Sequence, residues 1–173
     1  MTDSGRILLE VLDGYANASK WLDAPFGKIK QLSNTHIGDV GQDFVARLCQ
    51  ETGLECELPL NQQGVTTTQS PWDVRINGKD FELKTATEDV RRSFQFNHIR
   101  LHRSYDAVLC VGIAPDAILF DAWSKAALTT EAAGKLTTMD RGSSATWKLT
   151  KRRNELRPIA DFAARLTELI AEL

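Results

Sequence analysis

The chain has 173 residues, 42% hydrophobic and 25% charged, enough for one ordinary globular domain that buries a core without disulfides or structural metal. Twenty-one lysines and arginines against 23 acids give a formal charge of −2, which excludes a uniformly basic histone-like binder and a disordered acidic tail but not a protein with segregated charge. The cysteines, Cys49, Cys56 and Cys110, lack CxxC spacing and argue against a disulfide framework or zinc site. With no secretory signal pattern near Met1 and no apolar run of about 18 residues, the expectation is a cytoplasmic protein without a membrane span.

In chain order, Ile7, Leu8, Val11, Leu12, Tyr15 and Ala18 recur close to helical spacing and predict an amphipathic helix over residues 7–21, closed off before Pro25 and Gly27. Phe44, Val45, Leu48 and Cys49 predict a second helix over residues 38–52, with Gly53 as its C-terminal stop. Residues 54–60 read as a short strand and the polar, glycine-containing residues 61–70 as an exposed loop. Two short alternating runs, WDVRI and KDFELKT, are separated only by Asn77-Gly78, the strongest short-range signal for a β-hairpin. A polar stretch over residues 93–102 reads as helical, and YDAVLCVGI after it as a buried central strand. AILFDAW, beyond Ala114-Pro115-Asp116, reads as the neighbouring strand. Ser124 is a helix N-cap, with that helix reaching about Ala133 and ending at Gly134. Residues 144–150 suggest an edge strand, and residues 159–173 a C-terminal amphipathic helix starting after Pro158. The order predicts an α/β, three-layer domain with a central mixed β-sheet flanked by helices. No repeat or linker divides residues 1–173, which read as a helical extension (1–34), a core (35–123), and C-terminal helices with a basic strand (124–173).

If Asn77 and Gly78 form the turn, cross-strand partners sum to 155: Ile76 faces Lys79, Val74 faces Phe81, and Asp73 faces Glu82. One face of the hairpin is then apolar (Trp72, Val74, Ile76, Phe81, Leu83), and the other carries Asp73, Arg75, Asp80, Glu82 and Lys84. Facing carboxylates whose Cβ atoms lie about 4.5–5.5 Å apart repel, and a hard divalent cation such as Mg²⁺ is the natural compensation. Lys84, on the same face, is placed to orient a water or to stabilise charge on a phosphate. Such a set suits phosphodiester hydrolysis.

Ser70-Pro71-Trp72-Asp73, eight intervening residues, then Glu82-Leu83-Lys84 resembles the PD-(D/E)xK nuclease superfamily, especially small type II restriction endonucleases. The resemblance covers about residues 35–123 and implies a restriction-endonuclease-like fold. It further implies that Asp73 and Glu82 ligate Mg²⁺, that Lys84 is the catalytic lysine, and that the preceding helix supplies an accessory acid. Asp39 and Asp43 are available for that, while Gln42 stands where a glutamate would be expected. Gln95 is a further accessory position near the metal. Trp72 departs from the literal Pro-Asp pair.

Residues 91–103 (RRSFQFNHIRLHR) hold four arginines, two histidines and no acid, with Arg91, Arg92, Asn97, Arg100 and Arg103 suited to phosphates or base edges. His98 and His102, four apart, have the spacing to share a metal on a helix, but no third ligand is nearby. Residues 141–157 hold six bases against one acid, and Arg141, Ser143 and Lys148 there are further DNA contacts. Residues 1–60, with nine acids against five bases, are acidic, so a near-neutral total coexists with basic segments. Trp21, Trp72, Trp123 and Trp147 read as core-edge residues, and Cys49 and Cys110 as packing residues. The absence of GxSxG and of a P-loop weakens triad-hydrolase and ATPase readings. These features together predict a Mg²⁺-dependent endonuclease acting on double-stranded DNA, most like a restriction enzyme. Because one site cuts one strand, a homodimer is expected. The alternatives are a structure-selective junction or repair nuclease, and a non-catalytic DNA-binding specificity subunit of the same fold.

Overall fold

A computed structural model describes residues 3–17, 20–67 and 70–173. Ala18, in the first predicted helix, and Thr68 and Gln69, in the predicted loop, lie outside the described residues.

Helix α1 (Asp3–Asn17) starts four residues before the predicted one. Its Ile7, Leu8, Leu9, Val11 and Leu12 stay 47–58% exposed, so its apolar stripe does not enter the core. Helix α2 (Asn34–Thr52) is a turn longer at its start than the apolar pattern indicated. The Ser33 hydroxyl accepts from the His36 N–H, supplying an N-cap outside the apolar repeat. Gly53 closes the helix at φ 75°, as predicted. Gly41 faces the sheet, where a Cβ would lie 1.8 Å from Thr85 Oγ1, so its missing side chain sets how closely α2 approaches.

The extended segment after α2 pairs only as β1 (Cys56–Glu57). The hairpin of β2 (Val74–Ile76) and β3 (Lys79–Thr87) has the predicted register: Val74 opposite Phe81, Arg75 opposite Asp80, Ile76 opposite Lys79. Asn77 and Gly78 take φ 46° and 78°, the positive values a two-residue type I′ turn demands. The ladder stops at Val74. The Asp73 N–H donates to Phe81 O at 2.9 Å, and the Asp73 side chain accepts the Leu83 N–H at 2.9 Å, in place of a regular Asp73–Glu82 pair.

Residues 93–99 are a strand, β4 (Ser93–Ile99), not the predicted helix. Phe94 and Phe96 are fully buried while Gln95 and Asn97, alternating with them, are exposed, the two-residue period of a strand. A register shift between Phe96 and Ile99 puts one additional residue outside and returns Ile99 to the core. Its positive φ of 57° marks His98 in that bulge, so His98 and His102 do not share a helix face and the predicted shared-metal spacing fails.

Strands β5 (Ala107–Ile113) and β6 (Ile118–Ser124) match the two apolar runs, with β5 buried throughout. Ser124 caps α3 (Lys125–Thr129) by accepting from Ala127 N, and α3 is shorter than predicted. Three more strands follow, β7 (Leu136–Thr138), β8 (Trp147–Arg152) and β9 (Arg157–Pro158). A short 3₁₀ turn over residues 159–161 then leads into α4 (Phe162–Glu172).

The central sheet is mixed, in the order β1-β2-β3-β5-β6-β9, with β3 and β5 parallel and every other pair antiparallel. A second antiparallel sheet has the order β4-β8-β7. Alternation along β5 divides the interior. Leu109 and Val111 face Val45, Cys49, Phe162 and Leu166 of α2 and α4, whereas Val108 and Cys110 face Phe94, Phe96, Leu149 and Leu128. The fold is therefore mixed α/β with a central mixed sheet, but helices cover one face and the second sheet with α3 covers the other. That corrects the expectation of helices on both sides. Among the described residues no helix is long and apolar enough to cross a membrane.

Candidate active site

Where the β2 ladder ends, four side chains meet. Glu82, fully buried in β3, accepts from Lys84 Nζ at 2.7 Å and from Arg100 Nε at 2.9 Å, all through Oε1. Its carboxylate also receives the Arg100 main-chain N–H, at 3.2 and 3.3 Å. The same guanidinium reaches Asp73, with Nη2 at 3.1 Å from Oδ1. Burial works against the charge of Arg100, but the negative charges of Glu82 and Asp73 outweigh it and hold its pKa above the ordinary value. The chain thus brings Asp73, Glu82 and Lys84 together, with the Arg100 guanidinium between the carboxylates and not the direct Asp73–Glu82 pairing expected. Arg100, expected to touch DNA, lies between the carboxylates because the β4 bulge ends one residue before it.

Helix α2 supports the site from the other side. Gln42 Nε2 donates to the main-chain oxygen of Asp73 at 2.6 Å, a bond an ionised glutamate could not supply. Gln42, expected from the resemblance to be a glutamate, is thus a positioning residue for the Asp73 turn. Arg103 holds the same turn further along, donating to Ser70 O at 2.5 Å, and so has a structural contact where a DNA contact was expected. Trp72 stacks under the Arg75 guanidinium, whose carbon is 4.7 Å from the ring centroid, consistent with a core-edge role.

The cluster opens into a polar cavity of about 480 Å³ lined by Asp39, Gln42, Asp43, Asp73, Lys84, His98 and Arg100, together with Thr66 and Thr67. Asp39 and Asp43 are exposed on α2 and share this cavity with Asp73, as an accessory role requires. A second polar cavity of about 460 Å³ shares Lys84 and His98 with the first and is bounded by Asn34, Thr87, Gln95 and Asn97. Gln95 is not at the carboxylates; its Nε2 donates to Asp89 Oδ2 at 3.1 Å. Sequence reasoning gave no role to Thr66, Thr67 or Asn34. They come from loops and a helix start distant in the chain, and only pairing in space marks them.

The donor chemistry fits Mg²⁺. Two hard carboxylates reach one shared cation, here a guanidinium, and Mg²⁺ is commonly held by one or two carboxylates with water and phosphate oxygens completing its shell. Among the described residues no group of three or more histidine, cysteine, aspartate or glutamate side chains is gathered in a metal-binding arrangement, so a site of that richer kind is not built.

The other proposed contacts are dispersed. Arg91 and Arg92 are exposed in the turn before β4, and Arg141 and Ser143 are exposed in the connection from β7 to β8. The outward face of the second sheet carries Gln95, Asn97, Thr137, Lys148, Thr150 and Arg152, with no acid among them. Cys49 and Cys110 are buried packing residues, and burial pushes the Cys110 thiol pKa up.

No protein-family model and no curated protein matches this chain. Among solved structures, part of the fold is similar to the bacterial homing endonuclease I-Ssp6803I, at 12% sequence identity and a TM-score of 0.40, over 54% of this chain and 70% of that one.

Proposed function

We propose that the protein is a Mg²⁺-dependent DNA endonuclease of the PD-(D/E)xK type, most like a sequence-specific restriction enzyme. The observation that carries this is the convergence of Asp73, Lys84 and the buried Glu82 beside a polar cavity that Asp73 and Lys84 line, with Lys84 Nζ 2.7 Å from Glu82 and one guanidinium touching both carboxylates.

In this reading Asp73 and Glu82 hold the metal, which when bound supplies Lewis-acid stabilisation of charge on the scissile phosphate. Lys84, held against Glu82 and lining the cavity, orients the attacking water and offsets negative charge growing on the phosphate. Gln42 fixes the Asp73 main chain, so its carboxylate keeps one orientation through the reaction. The outward face of the second sheet, whose strands carry no acid, and the exposed arginines of the two basic segments supply phosphate and base contacts to duplex DNA. One site cuts one strand, so cleavage of both strands calls for a homodimer or a partner subunit with its own site.

The test is incubation of plasmid and assorted linear DNAs with Mg²⁺ and, separately, with EDTA. Discrete metal-dependent fragments from duplex DNA support the reading. Cutting confined to branched or mismatched DNA moves it to a repair nuclease, and salt-sensitive binding without any cleavage refutes catalysis.

A further inference from the structure

We propose that Arg100 is an exchangeable cation: it neutralises the Asp73–Glu82 pair when no metal is bound, and metal loading displaces its guanidinium into the cavity, where it binds the scissile phosphate. This rests on the nuclease reading of the same site and adds a residue whose role switches between two partners.

The first half follows from geometry. Arg100 Nε is 2.9 Å from Glu82 Oε1, and Nη2 is 3.1 and 3.3 Å from the two Asp73 oxygens. A planar fork that touches both carboxylates lies where a cation shared by them would sit. Mg²⁺ binds oxygen at about 2.0–2.1 Å in near-octahedral surroundings, so ion and fork compete for Glu82 Oε1 and the Asp73 oxygens. Two positive charges between the same acids would also repel.

The second half follows from what stays behind. The Arg100 main-chain N–H bonds to Glu82 independently of the side chain, so Glu82 keeps a donor when the fork leaves. The Arg100 side chain is 19% exposed and lines the cavity of about 480 Å³ beside Lys84 and His98, giving it a route outward. A displaced guanidinium is an always-charged fork matched to phosphate oxygens. Metal binding and DNA binding are therefore coupled, each strengthening the other by the same factor.

The experiment measures Mn²⁺ binding, by electron paramagnetic resonance and calorimetry without DNA, to the wild type, Arg100→Gln and Arg100→Lys. Folding of each is checked by circular dichroism. Removing the competitor tightens Mn²⁺ binding of Arg100→Gln by about tenfold or more, a change of ~1.4 kcal/mol. Arg100→Lys, whose single ammonium cannot span both acids, falls between, and it decides the matter if the glutamine variant does not fold. In parallel, Ca²⁺ strengthens duplex binding by the wild type more than by Arg100→Gln, because only the wild type gains a released guanidinium beside the metal. Equal or weaker Mn²⁺ binding by the folded variants, with wild type cleaving DNA in Mg²⁺, overturns this proposal and leaves the nuclease reading intact. Absence of Mn²⁺ binding and cleavage in every protein overturns both.

Discussion

Glu82→Gln isolates the charge at the centre of the site, because the amide keeps the volume of the carboxylate. Glu82 is fully buried and receives Lys84 at 2.7 Å and Arg100 at 2.9 Å. The variant turns an acceptor-only group toward two cations into one bearing donors, leaving Lys84 without its counter-charge and Arg100 with Asp73 alone. Removing one partner of a buried ion pair costs about 3–5 kcal/mol. Here the orphaned side chains are 16% and 19% exposed, and Arg100 retains Asp73, so the lower end applies, ~3 kcal/mol. For a chain of this size that corresponds to a fall in Tm of roughly 6–12 °C. Urea unfolding in EDTA, with m unchanged, is the assay. A loss below about 0.5 kcal/mol, within the range of ordinary surface substitutions, would refute the picture of Glu82 as the buried anchor of the cluster.

Three other outcomes follow from contacts elsewhere. Gly41→Ala drives a Cβ into Thr85 and costs about 1–3 kcal/mol in urea unfolding, as overpacking does; unchanged stability would mean α2 does not rest on β3 as described. Asp89 is opposed by burial, but the N–H groups of Ser93 and Arg91, the Ser93 hydroxyl and the Gln95 amide hold its carboxyl at about 2, below its ordinary 3.8. Its stabilisation is thus fully present above about pH 4 and is lost as pH falls toward 2. Asp89→Asn removes that part of the acid dependence, and stability curves of variant and wild type that stay parallel from pH 5 to 2 would contradict it. Lys148→Ala, on the outward face of the second sheet, lowers the slope of log affinity against log salt by about 1 for any duplex, and an unchanged slope would remove that face from the DNA path.

The parts legible in the sequence were those with local causes. Asn77-Gly78 dictated a turn, the turn dictated the register from Val74 to Lys79, and the acids on that hairpin followed. Apolar runs identified β5 and β6, and Gly53 the end of α2, for similarly local reasons. Residues 93–99 were misread because the bulge at His98 breaks the two-residue alternation after Phe96; the spacing of Phe94, Phe96 and Ile99 then imitates neither period cleanly. The second sheet was invisible for another reason: its β4–β8 pairing joins residues 48 to 59 positions apart, and β7 is only three residues long. That distant pairing also carries Arg100 to Glu82. Hence Asp73, Glu82 and Lys84 were legible from chain spacing, whereas the cation lying across them, and the Gln42 bond beneath them, required the fold.

Single-turnover cleavage of duplex DNA with Mg²⁺, comparing wild type, Lys84→Ala and Asp73→Asn, tests the catalytic assignment most directly. The account predicts metal-dependent cutting by the wild type and losses of about 10²-fold or more in each variant, with DNA binding in Ca²⁺ retained by Lys84→Ala. Equal cleavage rates in all three proteins would contradict it.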